Sequence, residues 1–150
     1  MSAGARPGHA EFRLRAELAE VTRVAAELRA LMPGRLAPDA CHAIEIAVAE
    51  AMTNIVKHAY AGRPAGAGVA LSWDECDEAL EIELRDEGAA MDASALEAAS
   101  PAVFEFDAAD LQSLPEGGMG LALIKMAFDD VAYSRVAGVN RLRLVKRLRA

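Results

Sequence analysis

Residues 44–60, Ile-Glu-Ile-Ala-Val-Ala-Glu-Ala-Met-Thr-Asn-Ile-Val-Lys-His-Ala-Tyr, constrain the fold more than any other stretch. Ile44, Val48, Ala51 and Ile55 recur at i, i+4, i+7 and i+11, the stripe of an amphipathic helix. Such a helix cannot stand alone and has to lie on a core built by other elements. At about 100° per residue, Glu50 and Asn54 fall about 40° apart and about 110° from the centre of that stripe. His58 continues the same polar edge one turn on, with Lys57 beside it. A carboxylate there can act as a base, and a carboxamide oxygen can ligate a hard cation such as magnesium. Alone, a Glu/Asn pair reads as a solvated helix face; the other motifs of the chain change that.

The flanks say what this helix packs on. Phe12 and Leu14 alternate with Glu11, Arg13 and Arg15, which predicts a strand over residues 10–15. Leu18, Val21, Ala25, Leu28 and Leu31 or Met32 return at helical spacing from Glu17 to about Met32, and Pro33-Gly34 stops that helix. Pro38-Asp39 opens the next, with Asp39 as its predicted N-cap and its end near Tyr60. Residues 61–68 are a glycine-rich loop. Val69–Trp73 and Leu80–Leu84 read as the strands of a hairpin about the polar turn 74–78. Residues 93–116 carry no period and hold Pro101, Pro115 and the isolated Phe104 and Phe106, the pattern of a functional lid or an unstructured connection. An apolar helix follows through Leu121–Phe128, then strands over Val131–Val136 and Leu142–Leu148 about a turn at residues 137–140. The order β-α-α-β-β-lid-α-β-β implies an α/β chain of the α+β two-layer sandwich type, with helices on one face of a mixed, largely antiparallel sheet. Residues 1–9 are expected to be a loose tail and residues 10–150 a single domain.

Composition narrows the functions. At 150 residues, 53% hydrophobic and 26% charged, the chain reads as one soluble domain that buries about 68–70% of its unfolded surface. A net charge of −7 argues against direct nucleic-acid binding; the basic run Arg141, Arg143, Lys146, Arg147 and Arg149 alternates like the outer face of a strand. No apolar run approaches the roughly 18 residues of a membrane span, and the N-terminus lacks a signal peptide's apolar core. Cys41 and Cys76 lie far apart with no C-x-x-C, which fits a reducing cytoplasm.

Two weaker motifs complete the pattern. Gly117-Gly118-Met119-Gly120 opens the apolar helix, where glycine admits close approach and free N–H groups can meet an anion. Asp86-x-Gly88 closes the second hairpin strand, a place where such pairs often only make turns. Taken in order, EAMTNIVKHAY at 50–60, DEGAAMD at 86–92 and EGGMGLALI at 116–124 resemble the GHKL ATPase superfamily, most closely its bacterial anti-sigma-factor serine kinases. The terminal VNRLRLVKRL at 139–148 is similar to that group as well, so the resemblance runs from about residue 10 to the end.

The resemblance implies a GHKL/histidine-kinase-like fold and ATP with Mg2+ as cofactors. By motif position it implies Glu50 as the catalytic base toward a partner's serine hydroxyl and Asn54 as the magnesium ligand. Asp86 would accept from the adenine amino group, with Gly88 allowing the approach and Met91 beside it. Gly117, Gly118, Met119, Gly120 and Leu121 would face the phosphates, Lys57 and His58 would flank them, and residues 93–116 would fold over as the lid. The implied activity is phosphorylation of a STAS-domain anti-anti-sigma protein by a homodimer that also holds a sigma factor. The competing reading is an ATP-gated anti-sigma or adaptor module with little or no phosphotransfer, and the presence of Glu50 favours the kinase. A histidine-kinase catalytic domain would need a phosphoacceptor histidine upstream, for which about nine residues leave no room. The superfamily's DNA-repair and chaperone members carry a further domain. Two departures from the family pattern stand out: Ala90 in place of a second glycine, and Asn140 or Arg141 in place of a threonine near the adenine.

Overall fold

Strand alternation builds the sheet. Strands β1 (His9–Arg15), β2 (Gly68–Glu75), β3 (Ala79–Asp86), β4 (Asp130–Val136) and β5 (Val139–Arg147) join in the order β1-β2-β3-β5-β4. The computed structural model describes residues 8–60, 68–91 and 118–148. Every neighbouring pair of described strands is antiparallel, where the sequence allowed for a mixed sheet. For β2–β3 and β4–β5 the reason is local, since the turns that join them are too short for any other direction. Period-two alternation turns Phe12, Leu14, Leu71, Trp73, Ile82, Leu84, Leu142 and Leu144 to one face, where all are buried.

Among the described residues three helices cover that face: α1 (Leu18–Arg29), α2 (Pro38–Asn54) and α3 (Gly118–Ala127). Val24 and Leu28 of α1, Ile44, Val48 and Met52 of α2, and Ile124 of α3 share one core with the strands. Each such side chain contributes about 1.5–3 kcal/mol by leaving water. Helix α2 packs against both α1 and α3 and is the centre of the helical layer. Its N-cap is Ala37, one position outside Pro38 at the first helical turn, so Asp39 is not the cap that the sequence predicted. Proline suits that first position because it lacks the N–H that would go unpaired there, while the Asp39 carboxylate meets the positive end of the helix dipole. Helix α1 stops at Arg29, short of the predicted Met32, and single-turn hydrogen bonds carry the backbone on to Met32.

Two local departures shape the region around the cavity. The predicted helix to Tyr60 ends as an α-helix at Asn54 and continues as one π-helical turn, Ile55–Ala59, closed by the Tyr60 N–H on the Ile55 carbonyl. Such wide turns are commonly found at functional sites. The β4–β5 turn is only Ala137-Gly138, both at positive φ (53° and 80°), the tight hairpin form that matches strand twist. Val139 and Asn140 are therefore already paired strand residues rather than part of the turn.

The outer face of the sheet is polar and ion-paired. Glu83 meets both Arg85 and Arg141, and Arg143 grips both oxygens of Glu81. The Arg143 guanidinium holds the Glu81 carboxyl below the ordinary carboxylate range. Stability from this pair is thus present at neutral pH and lost as pH falls through that lowered value, and solvent screening keeps it small.

Candidate functional site

The apolar ladder of the inner sheet face ends in a polar row. Register places Val69, Asp86, Asn140 and Arg135 side by side across β2, β3, β5 and β4. The alternation that buries Leu84 and Leu142 therefore also carries a carboxylate and a carboxamide to core depth. Asp86 is 7% and Asn140 2% exposed. Groups this deep need hydrogen-bond partners, and here they supply each other: the Asn140 amide donates to Asp86 Oδ1 at 2.8 Å. The Gly88 N–H donates to the same oxygen at 2.9 Å.

Above this row lies a cavity of about 240 Å³. Asp86, Asn140 and Tyr133 form its sheet side, Asn54, Ile55 and His58 its α2 side, and Leu121 and Ile124 its α3 side. Met91 and Ala90 line it next to the segment that leaves β3. Asn54 and His58, four residues apart, share the wall with Ile55, which is also buried against the core.

Gly88 is held where only glycine fits. A Cβ there would press on the Ala59 carbonyl, 2.6 Å from its carbon and 2.7 Å from the Ala59 Cβ. The Ala89 N–H donates to that same Ala59 carbonyl at 2.8 Å, so the end of β3 is stitched to the end of the π turn. Tyr60 adds a second stitch: its hydroxyl donates to the Gly68 carbonyl and accepts from the Glu87 N–H.

Glu50 and Asn54 meet the start of α3. A Cβ on Gly120 would lie 2.9 Å from Glu50 Oε2 and 3.7 Å from Asn54 Nδ2. The first turn of α3, Gly118, Met119, Gly120 and Leu121, has four N–H groups without intrahelical acceptors. Helix packing thus sets a carboxylate, a carboxamide and a helix N-terminus together beside the cavity. Gly120→Ala would crowd the Glu50 carboxylate while leaving the helix intact. We expect a melting temperature within a few degrees of wild type and, if Glu50 is a base, about a 10- to 100-fold loss of transfer from its misplacement; thermal melts and a transfer assay on the same preparation check this.

The structure separates the sequence-predicted residues by position. Asn54, His58, Asp86, Met91 and Leu121 share the cavity wall. Glu50, Gly88 and Gly120 are not part of the wall; they pack against Gly120, Ala59 and Glu50 respectively. Lys57 is exposed and outside the wall. Gly117 and the predicted lid, residues 93–116, lie outside the described residues. Of the two candidates for the threonine position, Asn140 faces the cavity and Arg141 the outer face, where it pairs with Glu83. Tyr133 and Arg135 carry no motif that singles them out in the sequence, whereas Tyr60 ends the 50–60 motif without a role implied for it. For the first two a weak signal exists: Arg135 follows Val131 and Tyr133 on the same side of a strand, a cation in a partly buried series.

Asn54 and Asp86 each bring an oxygen suited to a hard cation to the wall, and no group of three or more His, Cys, Asp or Glu forms a metal cage among the described residues. That donor set fits magnesium brought in on phosphates, since this ion keeps several waters and takes few protein ligands.

An antiparallel sheet with helices on one face and an acid-floored cavity between them is the architecture of a histidine-kinase-type ATPase domain. Residues 14–146 match the family model described as the histidine kinase-like ATPase domain, and the chain belongs to that family. It is 37% identical over 97 residues to the serine-protein kinase RsbW of Halalkalibacterium halodurans, covering 64% of this chain and 56% of that one. It is 33% identical over 103 residues to the serine-protein kinase RsbW of Listeria monocytogenes, covering 68% of this chain and 63% of that one. The chain thus spans about three fifths of the length of these curated relatives. The fold is shared with the histidine kinase domain of the Erythrobacter litoralis EL346 blue-light activated histidine kinase, at TM-score 0.53 and 16% identity over 87% of this chain and 60% of that one. No helix of the described residues is long and apolar enough to cross a membrane.

Proposed function

We propose that this chain is an ATP- and magnesium-dependent serine kinase that phosphorylates a STAS-domain anti-anti-sigma protein and, as a cytoplasmic homodimer, also holds a sigma factor. The observation that carries the reading is the packing of Gly120 against Glu50 and Asn54, which sets a carboxylate and a carboxamide beside a helix start with free N–H groups. In this reading the adenine enters the cavity over Asp86, and the phosphates lie along the first turn of α3. Bound magnesium-ATP supplies the phosphoryl group, with charge shared between the metal and the phosphate oxygens. Asn54 would hold the metal through its carboxamide oxygen. The free N–H groups of Gly118 to Leu121 would stabilise charge that grows on the phosphates. Glu50 would take the proton of the partner's serine hydroxyl as its oxygen bonds to the γ-phosphorus and the bond to the ADP oxygen breaks. Retention of Glu50 favours this over an ATP-gated module without transfer, which needs no base there.

The test has two arms. Magnesium-ATP and magnesium-ADP should raise the melting temperature in proportion to a stabilisation of about 2.7 kcal/mol at a hundred times Kd. Labelled γ-phosphate should move to a serine of a STAS protein from the same cell. No thermal shift at millimolar nucleotide overturns the site; a shift without transfer leaves the gated module.

A further inference from the structure

Asn140 does more than fill the end of a strand. Its amide nitrogen lies 2.8 Å from Asp86 Oδ1, 3.1 Å from the Gly88 carbonyl and 3.2 Å from the Ala89 carbonyl, all acceptors. Its oxygen lies 2.8 Å from the Tyr133 hydroxyl and 2.7 Å from an Arg135 guanidinium nitrogen, and a guanidinium can only donate. A flipped amide would set oxygen against three acceptors and nitrogen against a cation. The carboxamide therefore has one orientation.

The consequence falls on Asp86. Its Oδ1 is filled by two donors, the Gly88 N–H and the Asn140 amide. No hydrogen bond engages its Oδ2 among the described residues, and the side chain lines the cavity. Tyr133 and Arg135 extend the clamp along the chain: the Tyr133 hydroxyl accepts from the Met91 N–H at 2.8 Å, and Arg135 donates to the Gly88 carbonyl at 2.9 Å. Residues 88–91 are thereby held at both ends.

We infer that Asn140 is a positioning residue that sets purine selectivity, by engaging one Asp86 oxygen so that a single acceptor faces the base. The inference rests on the proposal that this cavity takes a nucleotide. Adenine offers one donor at that edge, its 6-amino group, and a single carboxylate oxygen satisfies it. Guanine offers two adjacent donors, N1–H and the 2-amino group, which match a carboxylate with both oxygens free. With Oδ1 already filled by two donors, a guanine edge keeps one bond and leaves its second donor with no acceptor on Asp86. Asn140 thus rejects guanine through Asp86 without touching the base.

Calorimetric titration of the purified chain with ATP, ITP and GTP, each with magnesium, tests this. Wild type should prefer ATP to GTP by about a hundredfold. Asn140→Ser, which withdraws the amide and leaves only the Gly88 N–H on Oδ1, should shrink that ratio about tenfold or more, chiefly by improving GTP relative to ATP. Tyr133→Phe keeps the ring and removes the hydroxyl that orients the amide; it should shrink the ratio less and speed exchange of the Met91 amide. It carries the test should the serine variant fail to fold. A role confined to structure would weaken ATP, ITP and GTP in equal proportion; an unmoved ATP-to-GTP ratio in a folded variant overturns the inference, as does a wild type that takes both equally. A wild type that binds ATP alongside an unmoved ratio sinks this inference alone. A wild type that binds no nucleotide sinks the nucleotide reading and this inference together.

Discussion

Glu50→Gln is expected to lower phosphotransfer to a serine substrate by about 10²–10⁴-fold while nucleotide binding stays close to wild type. The substitution keeps the shape and both polar atoms beside Gly120, so the packing of α2 on α3 is preserved. Only the capacity to take a proton is removed. Binding should survive because the role proposed for Glu50 is toward the incoming hydroxyl, whereas those proposed for Asn54 and the first turn of α3 are toward the phosphates. Asn54→Ala is the contrasting variant: it should weaken magnesium-nucleotide binding itself and lose transfer as a result. Single-turnover transfer and thermal shift, run on both variants, separate the two roles. Transfer at the wild-type rate by Glu50→Gln would remove Glu50 as the base.

Gly88→Ala is expected to cost stability out of proportion to a single methyl group. The new Cβ would press on the Ala59 carbonyl, which is backbone and cannot rotate away. Either β3 or the end of the π turn has to move, and the Ala89–Ala59 hydrogen bond stretches with it. Overpacking costs about 1–3 kcal/mol and the lost hydrogen bond about 1 more, so the melting temperature should fall by several degrees. Nucleotide affinity should fall as well, since the Gly88 N–H and carbonyl both belong to the Asp86–Asn140 clamp. Chemical denaturation and nucleotide titration read the two effects separately. A variant as stable as wild type would mean that the close approach at Ala59 has room to relax.

Much of this molecule is legible in its amino-acid order alone. Period-two runs locate the five described strands, and helical and apolar patterns locate the three described helices, because both periods record which side chains face the core. The E-x-x-x-N edge, the D-x-G strand end and the glycine-opened helix are readable for the same reason: each is a local spacing on one element. Local spacing also explains the misplaced details. It cannot tell an α-helical end from the π turn at Ile55–Ala59, because the two differ by one residue per turn over a few residues.

Only the tertiary structure decided how the motifs meet. Asp86 and Asn140 are 54 residues apart in sequence and become neighbours through the register of β3 and β5. That register in turn depends on a two-residue turn at Ala137-Gly138, and one residue more would have turned Arg141 inward in place of Asn140. Arg135 and Tyr133 look like ordinary strand residues until that pairing sets them on the Asn140 oxygen. The chain's periodicities therefore fix which faces are buried. Long-range pairing, where each contact depends on every other, fixes which polar groups share the cavity floor and which oxygen of Asp86 remains for a ligand.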